Sequence, residues 1–105
     1  MPPAPNSRDE VIRRLSSAEV HIRRLGVRRL ALFGSFVRDQ ARSESDVDVL
    51  VEFDPEQETF DNFFALCDLL ESLLERRVDV VTTNSLSPFI GPHILAQAID
   101  VIRAA

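Results

Sequence analysis

The chain contains no lysine and only one cysteine. Every cationic contact must therefore come from arginine, and an internal disulfide is excluded. A lone Cys67 suits a reducing cytosol, and a cytoplasmic location is expected. Its neighbours Phe63, Phe64 and Leu70 make it a packing thiol rather than a nucleophile. No apolar run approaches the roughly 20 residues of a membrane span, so no membrane association is expected. The opening residues Met1-Pro2-Pro3-Ala4-Pro5-Asn6 have no cationic region followed by an apolar stretch, which excludes a secretory signal and predicts a disordered tail over 1–6. There is no internal repeat and no interdomain linker. What remains is 105 residues with 45% hydrophobic and 28% charged content, the composition of one globular domain over 7–105.

The formal charge of −5 is unevenly spread. Residues 1–42 carry nine arginines against four acids, and residues 43–105 carry three arginines against thirteen acids. Phosphate contacts need clustered positive charge, so direct nucleic-acid binding by the acidic half is not expected. That half suits divalent cations or a basic partner. Arg23, Arg24, Arg28 and Arg29 form a basic cluster that reads as a solvated face.

Ser7-Arg8-Asp9-Glu10 has the spacing of a capping box and opens a helix whose stripe is Val11, Leu15, Ala18, Ile22 and Leu25. Gly26 ends it. Residues 29–33 form a strand leading into Gly34-Ser35, with a helical turn expected from Ser35 to about Gln40. Residues 47–53 alternate Val47, Val49, Val51 and Phe53 with Asp46, Asp48, Leu50 and Glu52, the clearest strand in the chain. Thr59 caps a helix over 60–75, residues 77–82 form a third strand, and a weaker helix covers 90–98. Residues 99–102 fit either a last strand or a helix extension. The order predicts an α/β (α+β) domain of two layers, a small sheet with helices mainly on one face.

On the helix over 60–75, Phe60, Phe63, Phe64, Cys67, Leu70 and Leu74 fill a core-facing stripe. Leu66, Leu69 and Leu73 widen the apolar arc to roughly 200°, beyond an ordinary amphipathic helix. Deeper burial explains that second row, and so does a partner or self-association surface through Leu66, Leu69 and Leu73.

The chemistry lies between Gly34 and Asp79. Two aspartates at i and i+2 on a strand leave the same face, about 7 Å apart. Asp79 repeats the arrangement between Val78 and Val80. If its strand lies beside the other, three carboxylates meet. Such a cluster must be neutralised by a proton or a cation. All-oxygen donors suit Mg²⁺, and two such ions about 4 Å apart can clamp both ends of a phosphoryl transfer. Gly34 allows close backbone approach, the Ser35 hydroxyl can bond a phosphate oxygen, and Arg38 lies one turn on. An anion cradle thus stands beside a metal cradle, as an NTP–Mg²⁺ complex requires.

Gly34-Ser35, ten residues, then Asp46-Val47-Asp48 resembles the defining motif of the DNA polymerase beta-type nucleotidyltransferase superfamily. The small size is similar to its minimal nucleotidyltransferase branch, and the likeness spans about residues 7–102. That resemblance implies the two-layer nucleotidyltransferase fold with a mixed sheet. It implies that Asp46 and Asp48 bind two Mg²⁺ ions, that Asp79 binds the catalytic one and helps deprotonate the acceptor hydroxyl, and that Gly34 and Ser35 hold the triphosphate. Many members read Ala-Arg-Gly where this chain has Val37-Arg38-Asp39, so Asp39 adds negative charge near the phosphate site. Members of this branch are typically paired with a HEPN-domain toxin and act as its antitoxin, some by moving AMP from ATP to a toxin tyrosine. The alternative is an inactive antitoxin that neutralises its partner by binding alone. A metal-dependent glycosyltransferase using its own Asp-x-Asp is disfavoured, since such folds need far more chain.

Overall fold

A computed structural model of the chain describes residues 7–38 and 46–103. The expected tail over 1–6, the far end of the turn reaching Gln40, and Asp39 lie outside the described residues. Ser7 caps helix α1 (Arg8–Ser17), its side chain accepting from the Glu10 amide. Glu10 completes no reciprocal box. Its carboxylate turns to Arg13 and Arg14, and the Arg14 hydrogen bond is the leading cause holding the Glu10 carboxyl below its usual range.

The single helix expected over 7–25 is broken. The Ser17 hydroxyl donates to the Arg14 carbonyl at 2.7 Å, competing with the next helical turn, and α2 (Glu19–Arg24) restarts beyond Ala18. The apolar stripe nevertheless runs through both pieces, with Val11, Leu15, Ala18 and Ile22 buried and Leu25 packed at the edge. Gly26 ends α2 with φ of +92°, a conformation L side chains rarely adopt.

Strands β1 (Val27–Phe33), β2 (Val47–Phe53), β3 (Val78–Thr82) and β4 (Ile99–Ile102) form one sheet in the order β3-β2-β1-β4. β1 runs antiparallel to β2 and β4, while β2 and β3 are parallel, so the sheet is mixed. Residues 99–102 are a strand: α4 (Gly91–Gln97) stops at Ala98, and the last segment adds to the free edge of β1. Val47, Val49, Val51 and Phe53 join Leu30, Leu32 and Ile102 against α1, α2 and α3 (Phe60–Leu74). Asp48, Leu50 and Glu52 alternate with them and take the opposite face.

Thr59 caps α3 as expected, accepting from the Asn62 amide. The phase of the helix differs from the sequence reading. Its buried centre is Leu66, Leu70 and Leu74, flanked by Phe63, Leu69 and Leu73, which pack against the core. Leu66 is therefore fully inside and Leu69 and Leu73 are partly buried against the core, so deeper burial accounts for the second row. Phe60 and Phe64, expected inside, are 82% and 60% exposed. An apolar arc of 200° does not fix its own centre, and tertiary contacts chose it. Cys67, at the margin of the stripe, is half-buried; burial, then Glu71 and Asp68, push its thiol up, away from the reactive thiolate.

Among the described residues no helix is long and apolar enough to cross a membrane.

Candidate active site

Sheet register builds the site. Because β1 and β2 are antiparallel and β2 and β3 parallel, the end of β1 and the starts of β2 and β3 share one edge. Phe33 pairs with Asp48, and Asp48 pairs with Asp79, so three strands contribute to one row. The Val47 amide donates to the Arg77 carbonyl at 3.0 Å and extends the parallel pairing to the start of β3. Asp79 thus stands directly beside Asp48, separated by one strand spacing of about 4.8 Å. Asp46, immediately before β2, is exposed.

The neighbouring charges act on Asp48. Burial pushes the Asp48 carboxyl above its ordinary value of 3.8; Asp79 and then Asp46 raise it further, and Arg38 opposes them. Asp79, Asp46 and Arg38 thus lie within electrostatic reach of Asp48. Among the described residues, no group of three His, Cys, Asp or Glu side chains is gathered closely enough to hold a metal ion. An all-carboxylate donor set of this kind suits Mg²⁺, which takes most of its remaining shell from water and phosphate oxygens. The desolvated, crowded Asp48 has a physical reason to accept a cation.

Gly34 and Ser35 open a 3₁₀ turn (Gly34–Phe36) directly after β1. Gly34 has φ of +80°, and a Cβ there would come within 3.0 Å of the Asp48 Cγ, with a carboxylate oxygen nearer still. Only glycine lets the backbone lie this close to the aspartate. Gly34→Ala combines a left-handed strain of roughly 1–2 kcal/mol with displacement of Asp48. The expected result is a melting temperature lowered by at least about 4 °C together with lost activity. An unchanged melting temperature would show that the turn relaxes freely.

Several contacts that position this turn left no readable sign in the sequence. Phe36 is 1% exposed and anchors the turn in the core. The Arg76 guanidinium, from the loop before β3, lies 5.2 Å above its ring. Arg8 Nη1 donates to the Val37 carbonyl at 3.2 Å, tying α1 to the chain after the turn. Arg38 Nη1 donates to Gln97 Oε1 at 3.4 Å, so the end of α4 borders the site. The basic cluster is largely engaged elsewhere: Arg23 pairs with Glu19, Arg28 with Glu52 and Arg29 with Asp100.

Residues 10–101 match the nucleotidyltransferase domain family. Over 78 residues the chain is 42% identical to the protein adenylyltransferase MntA of Thermococcus cleftensis, covering 74% of this chain and 78% of that protein. A solved structure described provisionally as a minimal nucleotidyltransferase superposes with a TM-score of 0.79 at 34% identity, covering 89% of this chain and 94% of that one. The complex of a tri-AMPylated Shewanella oneidensis HEPN toxin with MNT antitoxin contains a chain of the same fold, with a TM-score of 0.63 at 19% identity, covering 89% of this chain and 73% of that one. With the Gly-Ser turn lying against one of two paired aspartates, these likenesses place the chain: it belongs to the nucleotidyltransferase domain family, in its minimal, protein adenylyltransferase-like form.

Proposed function

We propose that the chain moves AMP from ATP onto a hydroxyl of a partner protein, a tyrosine of a HEPN-domain toxin, and so acts as its antitoxin. The observation that carries this reading is the row in which Asp48 stands beside Asp79 with Gly34 packed over it. Asp46, Asp48 and Asp79 would hold two Mg²⁺ ions, whose chemistry is to neutralise charge on the transferring phosphoryl group. The Gly34-Ser35 turn presents backbone and a hydroxyl to the phosphates, and Arg38 supplies positive charge beside them. Asp79 takes the proton of the acceptor hydroxyl as its oxygen attacks the α-phosphorus. The α–β bridging bond breaks, and pyrophosphate leaves. The names of the T. cleftensis relative and of the Shewanella complex support the acceptor class.

The test incubates the chain and a HEPN-domain partner with labelled ATP and Mg²⁺, beside the Asp46→Asn/Asp48→Asn double variant. Label is expected on the partner with wild type alone. No label with wild type, while the double variant still neutralises the partner, would leave neutralisation by binding and remove the transfer reaction.

A further inference from the structure

Phe60 and Phe64 stack with ring centroids 6.5 Å apart, and Phe63 meets Phe64 edge-on at 5.8 Å. Two of these three rings are mostly in solvent. Beside them lies an open groove of about 500 Å³ lined by Glu58, Thr59, Phe60, Phe63 and Thr82. A cluster of exposed aromatics at the rim of a groove is costly to leave uncovered, and aromatic anchors of this kind dominate protein interfaces.

Its electrostatic setting indicates what covers it. Residues 52–75 contain eight acidic side chains and no basic one. Some are engaged: Glu52 and Glu75 pair with Arg28 and Arg14, and Glu58 accepts from Asn84. Glu56, Asp61 and Asp68 are exposed and form no ion pair among the described residues. An apolar anchor flanked along the chain by uncompensated carboxylates favours a surface that presents arginine or lysine around an apolar side chain, and repels an acidic one.

The groove is rigidly linked to the aspartates. Thr82 and Asp79 lie on the same edge strand, about 10 Å apart along it, and being three residues apart their side chains leave opposite faces of the sheet. A protein held at the groove would have to reach around the β3 edge to Asp79, over a distance set by that strand.

We infer that the acceptor protein docks on this acidic, aromatic face through a basic segment with an apolar anchor, and that β3 spaces the docking point from the aspartates. The inference rests on the reading that the acceptor is a protein. It is tested by calorimetric titration of the full chain with the HEPN-domain partner at 50 and 300 mM NaCl. Phe60→Ala/Phe64→Ala is expected to weaken binding at least tenfold with an unchanged melting temperature. Glu56→Lys/Asp61→Lys is expected to do the same and to flatten the salt dependence.

Binding within twofold of wild type for both variants overturns the docking site. So does a variant that loses only self-association of the isolated chain, which would make a second copy the occupant. Label transfer separates this inference from the activity. Wild type that binds through the two phenylalanines yet transfers no label removes the reaction and keeps the docking face. Phe60→Ala/Phe64→Ala that transfers label with wild-type kcat/KM removes the docking face and keeps the reaction.

Discussion

Asp48→Asn is expected to abolish nucleotide transfer while making the metal-free protein more stable. On the chemical side, a central carboxylate of the row is replaced by a neutral amide that holds a cation far more weakly, and a loss of about 10²–10³-fold is the scale on which single electrostatic catalytic groups act. On the stability side, the Asp48 carboxyl is raised above its ordinary value first by burial and then by Asp79 and Asp46. The folded state therefore binds a proton at Asp48 more tightly than the unfolded chain does. That stability is fully present below the unfolded value, and it is lost as pH rises through the raised folded value. At neutral pH the ionised aspartate opposes folding, and asparagine removes the opposition. Solvent still reaches the group, so the gain is discounted to about 0.5 kcal/mol, or about 2–4 °C in melting temperature. Thermal unfolding of both proteins in EDTA across pH 4–8 checks this. A variant that melts lower than wild type at pH 7 would contradict the crowded-carboxylate account.

Phe36→Ala should have the largest effect on folding. The ring is enclosed by core on one side and capped by Arg76, and it anchors the turn that carries Gly34 and Ser35. Truncating a buried phenylalanine costs about 3–5 kcal/mol, a large part of the stability of a domain this size. The melting temperature should fall by about 15 °C or more, as read by circular dichroism. Phe60→Ala makes the control, because its ring lies in solvent and its loss should move the transition by no more than about 1 °C. A drop below about 5 °C for Phe36→Ala would show that the turn is held by its backbone alone.

Periodicity of two was the most readable property of this sequence. Over residues 47–53 it named the strand, its buried valines and the face of the aspartates, because each position in a strand has only two directions to take. The pairing of Asp48 with Asp79 needed one further fact, the adjacency of β2 and β3, which the sequence left conditional and the sheet order supplies. Helix α3 was harder. Its apolar residues span so much of the circumference that Leu66 and Phe64 were equally eligible for the core, and only the surrounding elements placed Leu66 inside and Phe64 outside. The break after Ser17 depends on one hydroxyl choosing a backbone carbonyl, a local competition that leaves the apolar stripe intact and so leaves no trace in it. Contacts such as Arg8 with the Val37 carbonyl, or Arg76 with Phe36, join residues 29 and 40 positions apart and follow no spacing rule.

The parallel register of β2 and β3 also limits how this chain can change length. Adding or removing one residue at the start of β3, with the pairing of the rest held, would reverse the parity of the positions after it, sending Asp79 toward the helices and a valine into the row of carboxylates. A lineage could lengthen or shorten the crossover from Phe53 to Val78 only in whole adjustments absorbed by its loops, near Pro55–Glu58 or Glu75–Arg77. Gains and losses of single residues in descendants of this chain should therefore collect in those two stretches and avoid the four residues from Val78 to Val81.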